Sequence, residues 1–92
     1  MEEIFLIFKT VEAEDGRFLQ HCPVDFKETR EEAYGILRDN VITALQRRYK
    51  KVKVRRFDAY VLEAEVTDHH GTKAIFIYSI TSVLNRPFIE IY

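Results

Sequence analysis

Lys51-Val52-Lys53-Val54-Arg55-Arg56-Phe57-Asp58-Ala59-Tyr60-Val61-Leu62-Glu63-Ala64-Glu65-Val66-Thr67 is the stretch on which the fold class turns. Val52, Val54, Tyr60, Leu62, Ala64 and Val66 share one parity, while Lys51, Lys53, Arg55, Glu63, Glu65 and Thr67 share the other. A period of two is the mark of a strand with one face toward a core. Arg56 and Asp58 interrupt it, because they stand on the apolar parity. Two charges there either pair with each other or are turned away by a bulge.

Toward the C-terminus, Asp68-His69-His70-Gly71 reads as a turn and Thr72–Leu84 as a further strand. Ala74-Ile75-Phe76-Ile77-Tyr78 is apolar on both parities, which suits the middle of a sheet or a face covered by a second subunit. Asn85-Arg86-Pro87 breaks this strand, and Phe88–Tyr92 reads as a short final one. Such an apolar edge asks for a partner, so a homodimer is expected.

Toward the N-terminus, Glu3–Ala13 and Arg17–Cys22 flank Glu14-Asp15-Gly16. Asp-Gly between apolar runs signals a hairpin, because Gly16 tolerates positive φ. Pro23, without an amide hydrogen, ends the second strand or sits on a sheet edge. Thr29-Arg30-Glu31-Glu32 then forms a capping box, in which the Thr29 hydroxyl accepts from the Glu32 amide and the Glu32 carboxylate reaches the Thr29 amide. Ala33, Tyr34, Leu37, Val41, Ala44 and Leu45 follow at helical spacing, with Ile36 and Ile42 off the stripe and an end expected near Tyr49. The expectation is therefore a single α+β domain over residues 1–92, in the order β-β-α-β-β-β. It is a mostly antiparallel five-stranded sheet with one helix packed on one face.

At 92 residues, with 47% hydrophobic and 32% charged, the chain suits one folded domain and not a disordered segment. The longest apolar run, Ile4–Phe8, is far below the ~20 residues of a spanning helix, so no membrane partner is expected. A single cysteine, Cys22, and the acidic start Met1-Glu2-Glu3 point to a cytoplasmic setting. The net charge of −1 conceals three blocks. Residues 1–39 carry 10 acids and 5 bases, 40–56 carry 7 bases and no acid, and 57–92 carry 5 acids and 2 bases.

Catalytic signals are weak. Asp68-His69-His70 has metal-ligating residue types, but adjacent residues before Gly71 suit a solvated turn better. His21-Cys22 would face opposite ways on a strand, and three glycines are too few for a phosphate-cradling loop. Glu63 and Glu65 stand about 7 Å apart on one face and are the residues a metal-dependent nuclease would use, with Lys73 nearby. The plainer reading makes Lys73 a cross-strand charge partner. No cofactor is implied.

The densest signal is basic. Arg47, Arg48, Lys50, Lys51, Lys53, Arg55 and Arg56 place seven cations in ten residues. Arg47, Arg48 and Lys50 suit the negative end of a helix dipole. Lys51, Lys53 and Arg55 repeat on one strand face, and Tyr49 beside them offers a stacking surface. The expectation is a small non-enzymatic binding module contacting a polyanion, nucleic acid or an acidic protein surface, through residues 47–56. The alternatives are a protein-interaction or inhibitory module using an apolar sheet face and the helix exterior, and, third, the nuclease.

Overall fold

The computed structural model describes residues 2–85. Strands β1 (Glu2–Ala13) and β2 (Phe18–Lys27) precede the helical segment, and β3 (Lys51–Phe57), β4 (Val61–Thr67) and β5 (Lys73–Asn85) follow it. All neighbours pair antiparallel in one sheet of order β2-β1-β5-β4-β3. The order β-β-α-β-β-β and the α+β class stand as expected. Phe88–Tyr92, read above as the last strand, lies outside the described residues.

The five strands arise differently from the expected division. Lys51–Thr67 is a hairpin, not one strand. Asp58 causes the reversal: its carboxylate accepts from the Tyr60 and Val61 amides, both at 2.9 Å, and the Asp58 amide donates to the Val61 carbonyl. Asp side chains that bond backbone two or three residues on imitate a turn. The alternation survives because two parity changes cancel. A bulge between Val54 and Arg56 moves the helix-facing set from Val54 to Phe57, and the hairpin moves it back to Leu62.

The other two hairpins close on glycines. Gly16 (φ 90°) and Gly71 (φ 86°) occupy the positive-φ region that a side chain would strain. In each, the last loop amide returns to the carbonyl three residues earlier, Gly16 to Ala13 and Gly71 to Asp68. Asp68 also accepts from the His70 and Thr72 amides at 2.8 and 2.9 Å. Its two histidine neighbours are exposed, so Asp68-His69-His70 is built as a turn.

The helix starts as expected and has an irregular middle. Thr29 is its cap, with the Glu32 amide donating to Oγ1 at 3.1 Å. The Glu32 carboxylate accepts from the Thr29 hydroxyl at 3.0 Å, in place of the expected amide. The chain runs through α1 (Arg30–Gly35), a π-helical stretch (Ile36–Val41) and α2 (Ile42–Arg48) to Tyr49. Ala33, Leu37 and Leu45 are buried and Val41 half-buried, a strict repeat of four. An α-helix turns about 100° per residue, so such a repeat drifts by about 40° at each step. The wider π turn, in which the Ile42 amide donates to the Leu37 carbonyl, offsets part of that drift.

The core lies between helix and central strands. Ile7 and Val11 of β1, Phe76, Tyr78 and Ile80 of β5, and Leu62, Ala64 and Val66 of β4 are buried on one face with Ala33, Leu37 and Leu45. Removing a buried Leu from such a layer costs about 2–5 kcal/mol. The outer strands hold no fully buried residue.

Candidate functional site

Each side chain of the basic segment takes its place from one of three local causes. Arg47 and Arg48 form the last helical turn, where cations oppose the partial negative charge of unpaired carbonyls. Glu31 and Glu32 occupy the first turn and complete the complement. At Tyr49 the backbone becomes extended (φ −114°, ψ 155°), which ends the helix and turns the chain into β3. Lys51 and Lys53 then alternate with Val52 and Val54, opposite Thr67 and Glu65, on the sheet face away from the helix. The bulge brings both Arg55 and Arg56 toward that same face, opposite Glu63. Both possibilities weighed for Arg56 and Asp58 are realised: the strand is bulged and the two side chains pair at 2.9 Å.

All seven cations are exposed. Arg55 reaches Glu63 at 3.8 Å and Arg56 reaches Asp58. Among the described residues, Arg47, Arg48, Lys50, Lys51 and Lys53 have no carboxylate at ion-pair distance. The strip thus wraps the β3 edge, from the helix end round to the open sheet face. The Tyr60 amide above all holds the Asp58 carboxyl below its ordinary range; partial desolvation opposes it next, and the Val61 amide and the Arg56 guanidinium add smaller lowering effects.

Tyr49 stands apart from the strip. Its ring is half-buried and meets Phe76 edge-on at 5.5 Å, on the helix side of the sheet. There it lines a cleft of about 250 Å³ with Lys9, Asn40, Arg48, Phe76 and Tyr78. Lys9 and Tyr78 are cross-strand partners, and the Lys9 ammonium lies 5.1 Å from the centre of the Phe76 ring. Burial, followed by neighbouring Tyr49, pushes the Tyr78 hydroxyl up to about 12, so it remains a neutral donor at physiological pH. Sequence reading passed over Lys9, although its parity with Ile7 and Val11 places one cation on the core face of β1.

The carboxylates Glu63 and Glu65 face β3 cations, Arg55 by ion pair and Lys53 by register. Lys73 is opposite Thr67 in the register, not opposite either glutamate. Among the described residues no three His, Cys, Asp or Glu side chains converge as metal ligands would. His21 is committed to Thr10, 2.8 Å from Nδ1 to Oγ1, and its ring stacks on Phe8 at 5.5 Å.

On the face opposite the helix, Leu6, Phe8, Ile75 and Ile77 are half-buried. Phe26 pairs with Leu6 and is 57% exposed, and Phe18 is 72% exposed. Register shifts in β2 leave Leu19 and Val24 without a partner in β1, and both are exposed. Pro23 falls inside β2 on the sheet edge, so the strand runs past the end expected there to Lys27. Among the described residues no helix is long and apolar enough to cross a membrane. No protein-family model, no curated protein and no solved structure matches this chain.

Proposed function

We propose that this chain is a small non-enzymatic binding module that contacts a polyanion, nucleic acid or an acidic protein surface, through residues 47–56. The observation that carries the reading is the exposed strip around β3, in which five of seven cations have no carboxylate at ion-pair distance among the described residues. Exposed cations on an edge strand also discourage edge-to-edge pairing. Edge protection and the helix dipole account for part of the run, and the repetition of Lys51, Lys53 and Arg55 along β3 remains to be explained. A strip of this kind meets phosphates through counterion release, with weak and sequence-tolerant affinity. The placement of Tyr49 argues for a backbone contact over base stacking, because its ring lies on the helix side of the sheet, away from the strip. A cytoplasmic setting accords with this reading and with the single half-buried Cys22.

Fluorescence anisotropy of labelled duplex DNA or RNA at low ionic strength is the test. Binding that Lys51→Ala with Lys53→Ala weakens equally on unrelated sequences supports a nucleic-acid partner. Absence of binding to duplex and single strand alike removes it and leaves an acidic protein surface.

A second reading rests on a separate surface. Phe18, Leu19, Val24 and Phe26 on β2 adjoin the apolar face carrying Leu6, Phe8, Ile75 and Ile77. Exposed apolar area of that kind marks an association surface, and a homodimer through it is the form the reading takes.

A further inference from the structure

We propose that the cleft beneath the π turn binds a small organic anion with a flat aromatic body, of the aryl-carboxylate class. Two cations from distant parts of the sequence, Lys9 and Arg48, line one cleft whose described lining contains no carboxylate. A cleft lined by one sign of charge focuses its field and draws the opposite charge. Phe76, Tyr49 and Tyr78 supply aromatic surface, and Val41, Ala44 and Leu45 supply an apolar wall. Few polar groups among apolar and aromatic ones is the usual make-up of a small-molecule site. The volume of about 250 Å³ lies just below the range for drug-sized ligands, which limits the occupant to a compact molecule.

The helix irregularity falls at the same place. Asn40 and Val41, both lining residues, belong to the π-helical stretch. Single π turns inside helices occur frequently at functional sites. Here the turn brings an amide side chain and an apolar one over the aromatic floor. The carboxylate takes charge-assisted hydrogen bonds from Lys9 and Arg48, and the Tyr78 hydroxyl is a third donor.

The larger groove at the other end of the helix, about 410 Å³, makes a useful contrast. Arg30, Arg38 and Asp58 line it, but their charges are satisfied in place: Arg30 by Glu31 at 3.2 Å, Arg38 by Asp39 at 2.7 Å and Asp58 by Arg56 at 2.9 Å. Among the described residues no uncompensated charge is left there to select a ligand.

The experiment is a titration of the ¹⁵N-labelled chain with indole-3-acetate, indole-3-acetamide and tryptamine, followed by amide shifts. The acetate should move the amides of Lys9, Asn40, Arg48, Phe76 and Tyr78. The neutral amide should bind about tenfold or more weakly, and the cation not at all, because only the carboxylate takes charge-assisted bonds from Lys9 and Arg48. Lys9→Met, which keeps an apolar stem over Phe76, and Arg48→Gln should each weaken the acetate about tenfold with the spectrum otherwise preserved. Lys51→Ala with Lys53→Ala should leave it unchanged, which separates this site from polyanion binding. Equal binding of all three compounds, no acetate-induced shift at millimolar concentration, or shifts confined elsewhere would overturn the proposal.

Discussion

The two outer strands of the described sheet face the same problem and solve it with different chemistry. Each flanks the described sheet on one side, where a bare backbone edge invites pairing with another chain. β2 relies on Pro23 and on register shifts that leave Leu19 and Val24 outside the ladder. β3 relies on a bulge at Arg55 and a row of cations. The solutions leave opposite surfaces, apolar at β2 and basic at β3. Edge protection alone accounts for the irregular backbone of both, so the side chains are where the two edges differ in what they can bind.

The most severe way to break the comparison is to remove the layer that holds both edges in place. Leu37 is fully buried under the central strands, and Leu37→Ala should destabilise the fold by about 2–5 kcal/mol in urea denaturation. Both edges should be lost in one transition, since a single core carries them. Two separate transitions would mean that the edges fold independently.

A change confined to β2 should separate the surfaces. Phe26→Asp should convert a dimer to a monomer in sedimentation at micromolar concentration, with duplex binding retained at the β3 edge. A wild-type chain that sediments as a monomer removes the dimer reading, and loss of both properties together shows that the edges are coupled.

Gly35 allows a smaller test that touches neither edge. It lies within the helix at αR geometry, and an added Cβ meets only an Arg38 nitrogen at 4.0 Å. Gly35→Ala should stabilise the chain by about 0.4–1 kcal/mol. A loss of stability would show that the π turn requires glycine.

The smallest expected effect concerns pH and the turns beside each end of β4. Asp58 and Asp68 are held below the ordinary carboxylate value of 3.8, first by the Tyr60 amide in one case and the Thr72 amide in the other. A lowered folded-state value contributes stability that is present above the unfolded value and is lost as pH falls through the folded one. Thermal stability should therefore decline below about pH 4. The Asp58→Asn, Asp68→Asn double variant should show a shallower decline, and an unchanged profile would assign acid sensitivity to other groups.

These residues also show what sequence reading reaches and where it stops. Asp15-Gly16 and the Thr29–Glu32 cap were legible because their chemistry is local: a positive φ and a hydroxyl at a fixed offset. The stop at Tyr49 was legible from the end of the apolar stripe. The Asp58 hairpin was hidden, because bulge and reversal each shift parity and together restore it. The π turn left a trace in Ile36 and Ile42, which fell off an ideal α stripe. The seven cations were visible as a run, and their exposure follows from the helix end and the edge position. The cleft was not visible as a cluster. Lys9 and Arg48 are 39 residues apart in the sequence and come to line one cleft only through strand pairing and the path of the helix.

Under the proposed reading, the β3 edge carries a functional charge and not merely a protective one. The most direct test of that claim is the salt dependence of duplex affinity for the wild type and for Lys51→Ala with Lys53→Ala. Three to five phosphate contacts give a slope of log K against log salt of roughly −3 to −4.5, and removing two cations should reduce it by about 2. A wild-type chain with no measurable affinity for duplex at low ionic strength, or a double variant with an unchanged slope, would contradict the nucleic-acid form of that claim.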